Sequence, residues 1–117
     1  MNFEEAITAH SQWKIRLQGV IAGTVKDLPD PQVVGVDNKC PLGQWIHGEA
    51  KAFAKLPEYG ELVKEHAEFH RCAAEVLRTF AAGQADLAKT MVDTGDFHAV
   101  SLRTINAIRH LRKKVQA

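Results

Sequence analysis

The sequence has no long apolar run and no excess of charge of either sign. None of its stretches approaches the roughly 20 apolar residues that span a bilayer. Its 15 lysines and arginines nearly balance 14 aspartates and glutamates, so bulk charge favours neither nucleic acid nor an anionic membrane as a partner. The N-terminus, MNFEEAITAH, is acidic where a secretion signal would be basic and then apolar. We therefore predict a cytoplasmic protein without membrane insertion.

Strand-like alternation of apolar and polar residues is also missing, which excludes a sheet of any size. The length of 117 residues fits a single domain, residues 1–117, with a core of its own. Two cysteines, Cys40 and Cys72, are too few for a disulfide framework. In a reducing compartment such thiols are better candidates for metal binding or redox chemistry, and the six histidines of the chain favour a metal.

Helical spacing of apolar residues is present in several segments. Asn2 and Glu5 resemble a capping box, and the stripe that follows predicts a first helix from residue 3 to about Lys26. The prolines and glycine of DLPDPQVVGVDNK end it and predict a long connection over residues 27–39. A short helix is expected in CPLGQWIHGE, followed by a long one from Pro57 to Gly83.

Two further helices complete the prediction. QADLAKTMVD indicates a short helix, and the residues after Gly95 indicate a last long one. The predicted fold is all-α, a four-helix bundle with an additional short helix that carries Cys40.

His66 and His70 are four residues apart, so a helix places both imidazoles on one face, within reach of a single metal ion. They lie in the apolar stripe between Leu62 and Phe80, and His10 lies in the stripe of the first helix. Three inward histidines each need a partner, since an unpaired buried polar group costs about 1 to 3 kcal/mol. A shared metal ion would satisfy one nitrogen of each ring.

Cys40 is the better candidate for a fourth ligand. Cys72 lies two residues after His70, about 200° around the helix, so we expect it to be a small apolar filler. The connection over residues 27–39 can extend to about 43 Å at 3.3 Å per residue. The helix from His10 to residue 26 is about 24 Å long at 1.5 Å per residue, and the connection must run back along this distance. The connection is long enough, so Cys40 can meet His10.

Three imidazoles and a thiolate form a closed tetrahedral set suited to Zn²⁺, with no position left for an activated water. This predicts a structural or sensing site and no enzymatic activity. Three side chains near the predicted ligands are candidates for supporting contacts: Trp13, Trp45 and His47. His98 and His110 lack a partner at helical spacing, so we expect them at the surface or in satisfied positions.

Four motifs in order, AHSQWKIRL, CPLGQWIHGE, LPEYGELVKEHAEFH and GDFHAVSLRTINAIRHL, make the chain resemble the chemoreceptor zinc-binding (CZB) family of bacterial cytoplasmic sensor domains. The resemblance implies a helical bundle, usually homodimeric, with zinc held by the residues of this chain that match: His10, Cys40, His66 and His70. It also implies control of an attached or associated output, a chemotaxis receptor signalling domain or a diguanylate cyclase. The signal would be zinc availability or an oxidant such as hypochlorous acid.

Cys40 precedes Pro41 at the start of the predicted short helix, where the helix dipole and a bound cation both favour the thiolate. We therefore expect Cys40 to be both ligand and redox-reactive group, and its oxidation to release the short helix. Three alternatives stay open: a hemerythrin-like di-iron bundle that binds oxygen, a helical interaction module in which zinc is only a staple, and a partner-binding module without metal. The first needs inward carboxylates, and Glu68 falls on another face.

Overall fold

The computed structural model describes residues 2–25, 28–38 and 40–116, and within these ranges the chain forms helices and no strand. The predicted all-α bundle with an additional short helix is confirmed. No helix in the described ranges combines the length and the apolar character that a membrane crossing requires. The helices are α1 (Phe3–Ala22), α2 (Pro31–Val34), α3 (Pro41–Ile46), a 3₁₀ helix (Glu49–Phe53), α4 (Pro57–Ala81), α5 (Ala85–Asp93) and α6 (Asp96–Val115).

Helix α1 is shorter than predicted. Its start is as expected, because the Asn2 side chain accepts a hydrogen bond of 2.7 Å from the Glu5 N–H. Its end is at Ala22, where Gly23 takes the left-handed conformation with φ 81° that closes many helices. The prediction of a helix to about Lys26 is wrong on this point, and Lys26 itself lies outside the described residues.

The connection between α1 and α4 contains more helix than the sequence predicts. Helix α3 was expected, whereas α2 and the 3₁₀ helix were not. Both are only four or five residues long, too short to show a helical period. Helix α2 has a proline in its first turn and a cap, since the Asp30 carboxylate accepts from the Gln32 N–H at 2.9 Å.

Helices α1, α4, α5 and α6 form the bundle and enclose two groups of buried apolar side chains. The first core cluster, formed chiefly by α1, α4, α5 and α6, includes Leu17, Phe69, Val76, Val92 and Phe97. The second core cluster, to which α3 also contributes, includes Ile7, Leu42, Ile46, Leu62 and Ile108. Along α1, His10 falls between Ile7 of the second cluster and Leu17 of the first. Along α4, His66 falls between Leu62 of the second cluster and Phe69 of the first, and His70 follows Phe69.

Candidate metal centre

Helices α1 and α4 bring three imidazoles together in the interior. His10 of α1 and His66 and His70 of α4 are 2%, 0% and 3% exposed. The Nε2 atoms of His66 and His70 are 3.1 Å apart, and the ring centres of His10 and His66 are 5.1 Å apart. The inward direction predicted from the apolar stripes is therefore what the helices produce.

Cys40 reaches this group from the other side, at the start of α3. Its Sγ lies 3.3 Å from Nε2 of His66 and 3.6 Å from Nε2 of His70. One donor atom from each of the three histidines and from Cys40 lies within 4.8 Å of all the others. No Asp or Glu from the described part of the chain joins this group.

Backbone carbonyls fix the outer nitrogens of two rings. Nδ1 of His10 donates to the Ala6 carbonyl and Nδ1 of His70 donates to the Val34 carbonyl, each at 2.9 Å. A carbonyl oxygen only accepts, so the proton of each neutral ring resides on Nδ1. The lone pairs at Nε2 of His10 and His70 consequently point into the site. This is the arrangement by which a backbone carbonyl orients a metal-binding histidine.

The inner nitrogens fit a metal ion. Nε2 of His10 is buried with no hydrogen-bond partner, which is unfavourable unless another group satisfies it. Burial lowers the pKa of His10 to about 4 and that of His66 to about 2, and it also lowers the pKa of His70. All three rings are therefore neutral near pH 7. A neutral imidazole is the form that binds metal, so three nitrogens and one sulfur make a donor set suited to zinc.

Cys40 does not become a thiolate through its helix position alone. Its Sγ caps α3, accepting from the Gly43 N–H at 3.3 Å, a bond that lowers the pKa of the thiol. Burial has the larger effect, and the net pKa is raised. The start of α3 thus favours the thiolate, as expected, but burial outweighs it, and a coordinated cation would supply the further positive charge that a thiolate needs here.

The sequence matches the family model of the chemoreceptor zinc-binding domain over residues 10–77, which is more than half of the chain and includes all four members of the group. The chain belongs to the CZB family. This family comprises regulatory sensor domains rather than enzymes, and its members are found in chemoreceptor-type signalling proteins. CZB domains bind zinc, and the group in this chain is positioned to bind a metal ion. No curated protein and no solved structure matches the chain.

Two residues of the CZB domain that sequence reasoning missed help to place Cys40 and His70. Gly43 approaches the connection so closely that a Cβ on it would collide with the carbonyl oxygen of Asp37. Val34 supplies the carbonyl that holds His70. A backbone carbonyl leaves no trace in a sequence, but the glycine of CPLG is a visible signal for a close backbone approach.

The three predicted supporting side chains take different positions. The Trp13 ring lies edge-to-face with the His70 ring at 6.4 Å, beside the site. Trp45 packs against Phe3 at 5.4 Å in the second core cluster. His47 is exposed, and its Nε2 lies 3.4 Å from a carboxylate oxygen of Asp37.

The remaining candidates lie outside the group of four. Cys72 is 5% exposed and packs in the first core cluster, consistent with a small apolar filler. His110 is exposed and pairs with Glu61 at 3.0 Å, and Nδ1 of His98 lies 3.3 Å from the Lys14 ammonium. Glu68 is half-buried and pairs with Arg71 away from the site, as expected from its place on another face of α4.

Helix α3 is held by more than Cys40. Leu42 and Ile46 are each 1% exposed, and the Tyr59 hydroxyl donates to the Ile46 carbonyl at 2.8 Å. Leu42 and Ile46 thus anchor α3 in the second core cluster independently of Cys40. The release of the short helix by oxidation stays a prediction.

Proposed function

We propose that this CZB domain binds one zinc ion through His10, Cys40, His66 and His70 and reports zinc availability or oxidation. The observation that carries the proposal is the meeting of three neutral imidazoles and one thiol, with donor atoms within 4.8 Å of one another and no carboxylate among them. Three nitrogens and one sulfur close a tetrahedral set, as structural and sensing zinc sites do. Zinc, when bound, keeps Cys40 as the thiolate and holds the four side chains together.

The chain's own residues prepare the site for that role. The carbonyls of Ala6 and Val34 hold two rings with their lone pairs inward. The N–H of Gly43 points at the sulfur and stabilises negative charge on it. The surrounding burial keeps the histidines neutral.

Cys40 is the redox-reactive group of the proposed sensor. Hypochlorous acid oxidises a thiolate by two electrons: an S–O bond forms, the O–Cl bond is broken, and chloride leaves with the electron pair. The product, a sulfenic acid, is a much poorer ligand than a thiolate. Because α3 stays anchored at Ile46, the change is passed to residues 28–38, whose Val34 carbonyl also contacts His70.

We propose that the CZB domain acts in the cytoplasm, as a single domain over residues 1–117 in a homodimer. The output that it controls is proposed to be an attached or associated chemoreceptor signalling domain or diguanylate cyclase. Membership of a family found in chemoreceptor-type signalling proteins supports this proposal.

The test is metal analysis of the purified chain with free-thiol counting before and after a mild oxidant. We expect one zinc per wild-type chain, released as one thiol is lost. Cys40→Ala should bind zinc at least about a hundredfold more weakly, since even an outer partner of a ligand is worth about 10- to 100-fold. Cys72→Ala should bind and release zinc as the wild type does. Loss of the response in Cys72→Ala, with Cys40→Ala unaffected, would contradict the assignment.

The burial of the site between the two core clusters favours one other role, a zinc staple without sensing. Structural zinc contributes about 10 to 16 kcal/mol of apparent binding energy in small domains, enough to hold this one together. Zinc that stays bound under oxidant concentrations that oxidise exposed thiols would favour the staple. A visible iron–oxo absorption band would instead favour the di-iron bundle, and a fold and dimer indifferent to chelation would favour a metal-free interaction module.

A further inference from the structure

An open groove of about 380 Å³ reaches the candidate metal centre from the surface. Cys40 and His70 line it at the site, and Trp13, Val33 and Val36 give it apolar walls. The Arg16 guanidinium also lines the groove and lies over the Trp13 ring, 4.7 Å from its centre. The groove is therefore an apolar depression that leads to one side of the four-residue group.

The four residues differ in how far solvent reaches them. His10, His66 and His70 are buried, whereas Cys40 is partly exposed. A small molecule that enters the groove meets a cysteine that is partly exposed and a histidine that is 3% exposed. Of these two residues, Cys40 is thus the more accessible.

Helix α2 sets the width of the groove. Val34 points inward at 8% exposure and offers its carbonyl to His70, while its neighbour Val33 is 58% exposed at the rim. Val36, 39% exposed, lies further along the same wall. The walls are largely apolar, and the two charged side chains that line the groove, Arg16 and Asp30, are of opposite sign, so the groove carries no net charge that would favour an ion over an uncharged molecule.

We propose that this groove is the route by which small uncharged oxidants reach Cys40, and that Val33 and Val36 set the rate of its oxidation. The proposal rests on the proposed function, since it identifies the access path of the same site. With hydrogen peroxide, the thiolate sulfur attacks one peroxide oxygen: an S–O bond forms, the O–O bond breaks, and hydroxide leaves and is protonated to water. The sulfur is oxidised by two electrons and the peroxide is reduced by two.

The test compares substitutions at the rim with matched substitutions elsewhere. Leu102 on α6 is 52% exposed and does not line the groove, so Leu102→Trp and Leu102→Ala control for added and removed bulk. We expect Val33→Trp to slow oxidation of Cys40 by about fivefold or more and Val33→Ala to speed it by about twofold, because thiol reactions depend on access. The Leu102 variants should react at the wild-type rate, and zinc affinity should be unchanged in all four.

The rate constants are measured with hydrogen peroxide on the zinc-loaded chain and with iodoacetamide on the metal-free chain, by mass spectrometry of the Cys40 peptide. The metal-free arm tests the groove even if the zinc proposal fails, because alkylation needs access but no metal. Val36→Trp provides a second obstruction should Val33→Trp fail to fold. Unchanged rates in every folded rim variant would overturn the proposal, as would equal slowing in Leu102→Trp.

Discussion

The two regions that meet at the candidate metal centre are built differently. Helices α1 and α4 contribute three histidines from regular helix of 20 and 25 residues. The segments over residues 28–38 and 40–56 contribute Cys40 and contain only helices of four to six residues. In the first region the helical period turns the three side chains inward. In the second, placement depends on individual contacts, among them the Gly43 N–H to sulfur and the Val34 carbonyl to His70.

This difference indicates which half of the site is fixed and which half can respond. The histidines are packed between the two core clusters, so moving them requires moving a long helix. Cys40 is only partly buried and lies beside the groove. Regions with few buried contacts open at lower free energy, as elements that move during signalling must.

The largest effect is expected from His70→Ala, because His70 belongs to both regions. The substitution removes a proposed ligand and the bond to the Val34 carbonyl. We expect zinc affinity to fall at least about a hundredfold, more than the 10- to 100-fold of an outer partner, and limited proteolysis to cut within residues 28–38. His110→Ala, which removes only an exposed pair with Glu61, is the control and should do neither. Equal zinc affinity in the two variants would contradict the claim that His70 is a ligand that joins the two regions.

Gly43→Ala should have the next largest effect. Its Cβ would collide with the Asp37 carbonyl, so the backbone that carries Cys40 must shift. We expect zinc affinity to fall by about 10- to 100-fold, as when an outer partner of a ligand is lost, measured by competition with a chelator. A Cβ on Gly60 of α4 meets no atom within 4 Å, so Gly60→Ala should keep wild-type affinity and gain about 0.5 to 1 kcal/mol of stability. A drop in zinc affinity in Gly60→Ala but not in Gly43→Ala would contradict the role given to Gly43.

The histidines of the helical region should make the metal-free chain sensitive to acid. Their pKa values are lowered by burial, to about 4 for His10 and about 2 for His66, so below pH 6.5 the unfolded chain takes up protons that the folded chain does not. Stability should therefore fall as pH falls below 6.5, by up to about 1.4 kcal/mol per pH unit for each histidine. Urea unfolding in the presence of a chelator measures this slope.

His66→Leu sharpens the pH test, because it removes one titrating group without removing apolar volume. The slope of stability against pH should decrease in this variant. A metal-free wild type equally stable on both sides of pH 6.5 would show that the histidines are not held neutral.

The smallest effects are expected at the two helix caps. Asn2→Ala removes the cap of α1, which packs in the bundle, and should lower the free energy of unfolding by about 1 kcal/mol. Asp30→Ala removes the cap of α2, a four-residue helix outside the bundle, and should leave global stability within about 0.5 kcal/mol while speeding amide exchange in residues 31–34. Equal global losses would show that both regions unfold as one unit.

The contrast between the long helices and the segment that carries Cys40 also explains how far the sequence predicts the structure. The sequence of α4 shows both the helical spacing of its apolar residues and its two ends. Pro57 lies in the first turn, and Gly83, at φ 84°, lies just after the end. The direction of His66 and His70 follows from that period alone. Spacing and chain length also indicate that Cys40 can meet them while Cys72 cannot.

The remaining features depend on tertiary contacts. Helix α2 is too short for a period, and its identity as helix rests on a cap at Asp30 and packing against α4. The Val34 carbonyl and the groove arise only when that helix is folded back over α4. Burial raises the pKa of Cys40 by more than the start of α3 lowers it, and this burial depends on the tertiary fold and cannot be read from local sequence.

The place of His10 within α1 gives the site mechanical leverage. Ala22, at the end of the helix, lies 12 residues beyond it, about 18 Å along the axis at 1.5 Å per residue. A tilt of about 5° with His10 as the fulcrum displaces that end by about 1.6 Å, comparable with the shifts of about 1 to 2 Å by which helices signal at interfaces. Any tilt of α1 that accompanied zinc binding or release would therefore be enlarged at the far end of the helix.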